Sequence, residues 1–180
     1  SGAVQALAVA GMIQRQNNKP TAIRQLARKS AWKKAAPQSF DRRLDQLEKL
    51  SPENYKTWFK LLEQGGEEYL RRPVASCAVW GNKFAHAFRD FCSLFMRGRV
   101  LDIGCGPSAR PLYLQGYPAD CVSAIEPMQL QVKPDFEVVR GFAEFLPWPK
   151  ASFHTVIAST SLDHMLSLPK ALAEIERVLT

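Results

Sequence analysis

The stretch that most constrains this 180-residue chain is Val100-Leu101-Asp102-Ile103-Gly104-Cys105-Gly106-Pro107-Ser108. An apolar run passing straight into a glycine-rich turn predicts a buried strand, a tight turn and a helix start at or near Ser108. Gly104 and Gly106 permit unusual φ/ψ and let a ligand approach bare backbone. The free N–H groups of the following helix would point back at that ligand. A carboxylate at the mouth of an apolar strand is costly without polar partners. Asp102 would also repel a pyrophosphate, so a cationic or hydroxyl-rich ligand suits the turn better.

Three further segments follow in order. Val122-Ser123-Ala124-Ile125-Glu126 predicts a second strand ending in an acid, about twenty residues after the turn, where a carboxylate takes ribose hydroxyls in dinucleotide folds. Gly141-Phe142-Ala143-Glu144-Phe145-Leu146-Pro147-Trp148-Pro149 leads into Ser152-Phe153-His154-Thr155-Val156-Ile157-Ala158, and Ala171 to Leu179 predicts a helix ending in Arg177-Val178-Leu179. Together with the turn, these segments resemble the ordered motifs of class I S-adenosylmethionine (SAM)-dependent methyltransferases, close to the small-molecule, ubiquinone-biosynthesis-like subfamily.

The resemblance implies an α/β, Rossmann-like doubly wound sheet with SAM as cofactor. It implies SAM contacts at Asp102, Gly104, Cys105, Gly106, Glu126, Pro127, Phe142, Ala143, Glu144 and Ser159. A nicotinamide-type site is the rival, since Gly104-x-Gly106-x-x-Ala109 also fits the permissive dinucleotide fingerprint. Asp102 and the Ala143 to Pro147 loop speak against it. A turn with no ligand role is the plainest alternative.

The chain departs from the family pattern at three places. Phe142 stands where many relatives carry an acid that contacts the adenine amine, a bond that Glu144 could replace. His154 replaces the usual acid of its strand. Ser108 replaces the third glycine, near a helix N-terminus where serine caps well.

An apolar fraction of 46% suffices for a globular core, and the length fits one domain with an appendage. Cys77, Cys92, Cys105 and Cys121 have neither C-x-x-C spacing nor scaffold density, so reduced thiols and a cytoplasmic location are expected. His86, His154 and His164 are too scattered to form a metal site with them. No run reaches the eighteen or so apolar residues of a membrane helix, and Ala3 to Ile13 lacks the basic flank of a signal peptide.

Charge divides the chain in two. The first 40 residues hold Arg15, Lys19, Arg24, Arg28, Lys29, Lys33 and Lys34 with no acid, which is the whole net charge of +7. Residues 1–75 are expected to form a basic helical region and 76–180 the SAM-binding domain. Predicted helices run from Thr21 to about Lys34, from Ser39 through Leu50, from Ser51 to Gly65-Gly66, over Glu67 to Arg71, and from about Val79 to Met96. The Thr21 to Leu50 pair has helix-turn-helix character, with Gln38, Ser39, Arg42 and Arg43 where a major groove would be met, so residues 15–43 are a candidate nucleic-acid surface. A solvated helix face, a cap over the SAM pocket and a homodimer surface are the other readings.

Strands are expected near 100–104, 121–126, 137–140 and 153–158, then a helix from Leu168 to Leu179. The family's sheet has seven strands, so the resemblance implies a chain truncated at its C-terminus, with an exposed edge. Methyl transfer needs orientation more than chemical assistance. Asp163 and His164, after the fourth strand, are the candidate catalytic bases. The expected activity is methyl transfer to a small-molecule acceptor. The alternative is a SAM-binding or degenerate module tethered through its basic arm.

Overall fold

The computed structural model describes residues 35–72, 83–106, 110–130 and 132–180. The strand predicted first lies at the centre of the sheet. Val100–Ile103 (β1) pairs in parallel with Val122–Glu126 (β2) on one side and Thr155–Ile157 (β4) on the other, and Glu137–Arg140 (β3) pairs with β2. The order is β3-β2-β1-β4, all parallel. Every residue of β1, β2 and β4 is buried, as in a sheet covered on both faces. β3 is the edge strand beside β2, and its outer residues Glu137 and Arg140 are charged and exposed, which discourages further pairing. On the other edge Phe153 bridges to Leu179 in parallel, and Thr180 N donates to Phe153 O at 2.9 Å.

Successive β1 side chains point to opposite faces. Leu101 and Ile103 join Trp148, Phe153, Val156 and the apolar stripe Ala171, Ile175 and Val178. That stripe belongs to Leu168–Val178 (α4 of the chain). Val100, Val122, Ala124 and Ile157 face the other way, onto Phe88 and Cys92 of Lys83–Phe95 (α3). This is the expected α/β, Rossmann-like doubly wound arrangement.

Among the described residues, two further helices precede α3. In Phe40–Leu50 (α1), Ser39 is the N-cap, its hydroxyl accepting from Arg42 N at 3.3 Å, and Leu47 is fully buried. Pro52–Arg71 (α2) starts with proline in its first turn and runs on for 20 residues. A break at Gly65-Gly66 was the expectation, and the helix passes through both glycines instead. Two interior glycines cost a helix about 2 kcal/mol relative to alanine, an amount tertiary contacts overcome.

A helix at Ser108 was also expected. Residues 107–109 and the predicted helix from Thr21 to Lys34 lie outside the described residues. From Arg110 to Cys121 the chain forms only two single turns of 3₁₀ helix, Leu112–Leu114 and Ala119–Cys121. Pro111, Gly116 and Pro118 divide that stretch too finely for an α-helix. No helix among the described residues is long and apolar enough to cross a membrane.

Candidate active site

A cleft lies beyond the carboxyl ends of β1, β2 and β4, the position at which open α/β sheets bind ligands. Its floor comprises Gly104 and Gly106, Glu126 to Met128, Gly141 to Glu144, and Ser159 to Ser161; α2 roofs it with Trp58, Leu61, Leu62, Gly65, Gly66 and Tyr69. Gly104 has φ +76°, and a Cβ there would lie 2.7 Å from Ser161 Cβ. Ser161 is itself held by its hydroxyl donating to Ile103 O at 2.7 Å. The turn therefore needs a residue without a side chain for two separate reasons. Thr160 also has positive φ (57°), a strained conformation for a β-branched residue, in the loop after β4.

Glu126 ends β2 inside the cleft. Its Oε2 accepts from Gly106 N at 2.7 Å and its Oε1 from Met128 N at 3.0 Å. Burial pushes its carboxyl above the usual range, and the two backbone donors act against that shift. A carboxylate oxygen has more than one acceptor site, so both keep capacity for hydroxyl donors.

Glu144 also lines the cleft, but its Oε1 accepts from Ser167 N at 3.1 Å, at the start of α4. Its acidity is weakened by burial. It thus serves the helix N-terminus, where orphan N–H groups and the dipole favour a carboxylate. Phe142 stacks between the elements, with Phe40 of α1 at 5.3 Å and Trp58 of α2 edge-on at 5.5 Å. Arg177 of α4 clamps the loop that follows, donating to Trp148 O at 2.7 Å and Leu146 O at 2.8 Å.

Nine of the residues singled out from the sequence meet around this cleft: Gly104, Gly106, Glu126, Pro127, Phe142, Ala143, Glu144, Ser159 and His164. Asp102, Cys105 and Asp163 are placed elsewhere. Asp102 is fully buried behind the wall, with Tyr113 Oη donating to its two oxygens at 2.9 and 3.2 Å, and it is Tyr113 that faces the cleft. Burial, opposed by the Tyr113 hydrogen bond and reinforced by the charge of Glu126, pushes the Asp102 carboxyl up to about 7.

Cys105 packs with Phe88 and Cys92 on the α3 side, and burial drives its thiol pKa well up, so it is an inert core residue. Asp163 points outward and lies 3.9 Å from the His164 ring. His164 is held from α2 at two points: Trp58 Nε1 donates to its carbonyl at 2.7 Å, and Tyr69 Oη lies 3.3 Å from its Nε2.

One departure and one expected contact are placed as well. His154 Nδ1 accepts from Arg99 N at 3.1 Å, an acceptor role that requires the neutral ring, and burial lowers its pKa accordingly. Arg43, a candidate groove contact, is 1% exposed and packs against Gly141, so it faces the interior rather than a nucleic acid. A cap over the pocket is one of the readings of the N-terminal helices, and α2 is the described helix that lines the cleft from that region. Its signal was the 58, 61, 62, 65, 66, 69 spacing, a helical stripe that continues through the glycines.

The cleft fits the cofactor class implied by the motifs. It presents carboxyl groups to a cationic ligand, an acceptor-only group for a diol, and bare backbone at Gly106, where a Cβ would meet nothing within 4 Å. No curated protein matches the chain. Residues 101–180 match the family model of a methyltransferase domain, a match that supports SAM-dependent methyl transfer as the general chemistry of this α/β segment.

Proposed function

We propose that the chain transfers a methyl group from SAM to a small-molecule acceptor bound beneath α2. The observation that supports this most is Glu126, fixed inside the cleft by the N–H groups of Gly106 and Met128 with acceptor capacity to spare for two ribose hydroxyls. Gly104 and Gly106 would carry the aminoacyl end, and Phe142 and Ala143 would lie against the adenine. When bound, the cofactor supplies a methyl group on a cationic sulfur.

The chain's own part is to place the acceptor in line with that group, where positioning accounts for most of the acceleration. His164 Nε2 would take the acceptor's proton, while the methyl group and the leaving sulfur are chemistry that the bound cofactor would supply. Asp163 Oδ1 lies 3.9 Å from the same nitrogen.

The test is thermal unfolding with SAM, its demethylated product or NAD. A ligand at one hundred times its Kd contributes about 2.7 kcal/mol, roughly 5–10 °C for a chain of this size. SAM and its product should both raise Tm, and NAD should not. A rise with NAD alone would assign the turn to a nicotinamide site.

A further inference from the structure

We infer that Arg43 is a cofactor-binding residue, donating from its guanidinium to a ring nitrogen of the adenine. This rests on the methyl-transfer reading and adds to that site a residue of α1, outside the segments that resemble the family's motifs.

Phe40, Arg43 and Leu47 share one face of α1, and Arg43 and Leu47 are the buried residues of that helix. Arg43 is only 1% exposed. An arginine in a buried stripe is costly unless it is paired. Yet its Nε and Nη1 have no hydrogen-bond partner among the described residues, and burial lowers its pKa.

The guanidinium ends at the floor of the cleft. A Cβ at Gly141 would lie 2.7 Å from Arg43 Nη1 and 3.0 Å from its Cδ. The charged group thus fills the space that a side chain at 141 would take, beside a residue that lines the cleft. Phe142, the next residue, also lines the cleft and stacks on Phe40, one turn before Arg43. A ring laid on Phe142 and Ala143 would bring its edge towards a buried donor that lacks an acceptor.

Polarity selects the atom. Position 142 carries no acid to accept from the adenine amine, and Glu144 Oε1 already accepts from Ser167 N. Arginine has donors only, so the amine cannot be its partner, whereas the ring nitrogens are acceptors. A hydrogen bond there would offset part of the cost of the buried charge. The cationic sulfur is carried at the other end of the ribose from the adenine. Glu126, assigned above to that ribose, has the charge opposite to both cations.

The experiment is calorimetry on the full chain with SAM, S-adenosylhomocysteine and the analogues of the latter in which CH replaces one adenine ring nitrogen. One analogue should bind the unmodified chain at least about ten-fold more weakly than its parent. Arg43→Met puts an apolar chain in a buried position and does not endanger folding, which urea unfolding checks. It should weaken SAM and S-adenosylhomocysteine alike, since both carry the adenine, and the parent's advantage over that analogue should vanish. Arg43→Lys keeps the charge without the planar fork and should also bind both more weakly. Equal binding of all the analogues by the unmodified chain overturns the inference. So does an advantage of the parent that persists in Arg43→Met, which assigns the nitrogen to another donor. Failure of the folded, unmodified chain to bind S-adenosylhomocysteine overturns the methyl-transfer reading itself.

Discussion

Replacing Gly65 by alanine should stabilise the protein, although the residue lies in the wall of the cleft. The glycine sits inside the continuous helix Pro52–Arg71, and its added Cβ would meet nothing within 4 Å. The substitution therefore brings the propensity gain without a clash. Gly to Ala in a helix interior is worth up to about 1 kcal/mol, partly through the unfolded chain, so Tm should rise by roughly 2–4 °C.

The neighbouring Gly66→Ala serves as the contrast. Its Cβ would lie 3.3 Å from Met128 Sδ, so the methionine must give by a few tenths of an ångström and part of the gain is lost. Met128 N also holds Glu126 Oε1, so Gly66→Ala should weaken cofactor binding where Gly65→Ala leaves it nearly intact. Urea unfolding of both variants with calorimetry of SAM gives the comparison. A loss of more than about 0.5 kcal/mol in Gly65→Ala would mean that α2 is broken at the glycine pair, and the reasoning about the lid would fall with it.

Asp102 should make stability depend on pH. Its carboxyl is raised to about 7 by burial, so its contribution is complete below about pH 4, declines as pH rises and is lost through pH 7, a change of order 4 kcal/mol. Asp102→Asn should flatten that slope in urea unfolding between pH 4.5 and 8.5, and an unchanged slope would contradict the placement. Gly104→Ala should cost about 2–4 kcal/mol through positive φ and the contact with Ser161. A double-mutant cycle with Ser161→Gly should show coupling between the two sites. Glu144→Ala should cost about 1–2 kcal/mol through the lost partner of Ser167 N, while leaving SAM affinity within a few-fold. A large loss of affinity with little loss of stability would reassign Glu144 to the cofactor.

The parts of the fold legible in the sequence are those whose signal is local. Buried parallel strands are continuous apolar runs, so Val100–Ile103 and Val122–Glu126 stand out, and the acid closing the second reads correctly as a group inside the cleft. What is hidden depends on which face a residue presents. Asp102 and Cys105 belong to the cofactor motif by position, but both side chains lie on the α3 side of β1. That face is decided only when the helices dock. Glu144, expected to orient the cofactor, lines the cleft, and its Oε1 also accepts from the N–H of Ser167, 23 residues away, a pairing that no local pattern announces.

Gly65-Gly66 shows the opposite failure. The local rule that glycines stop helices is outweighed by contacts on both sides of the pair, since Trp58 grips His164 O and Tyr69 meets the His164 ring. After the glycine turn, Pro111, Gly116 and Pro118 outweigh the helix start that the turn pattern predicts at Ser108, and residues 110–121 form only single 3₁₀ turns.

The most direct test of the central claim is calorimetric titration of SAM into the chain and into Glu126→Ala, with urea unfolding to establish that the variant is folded. The account expects one saturable site in the unmodified chain and at least about 100-fold weaker binding in the variant, the loss of a charged acceptor for two hydroxyls. Binding of equal strength in both proteins, or none in the folded unmodified chain, would contradict it.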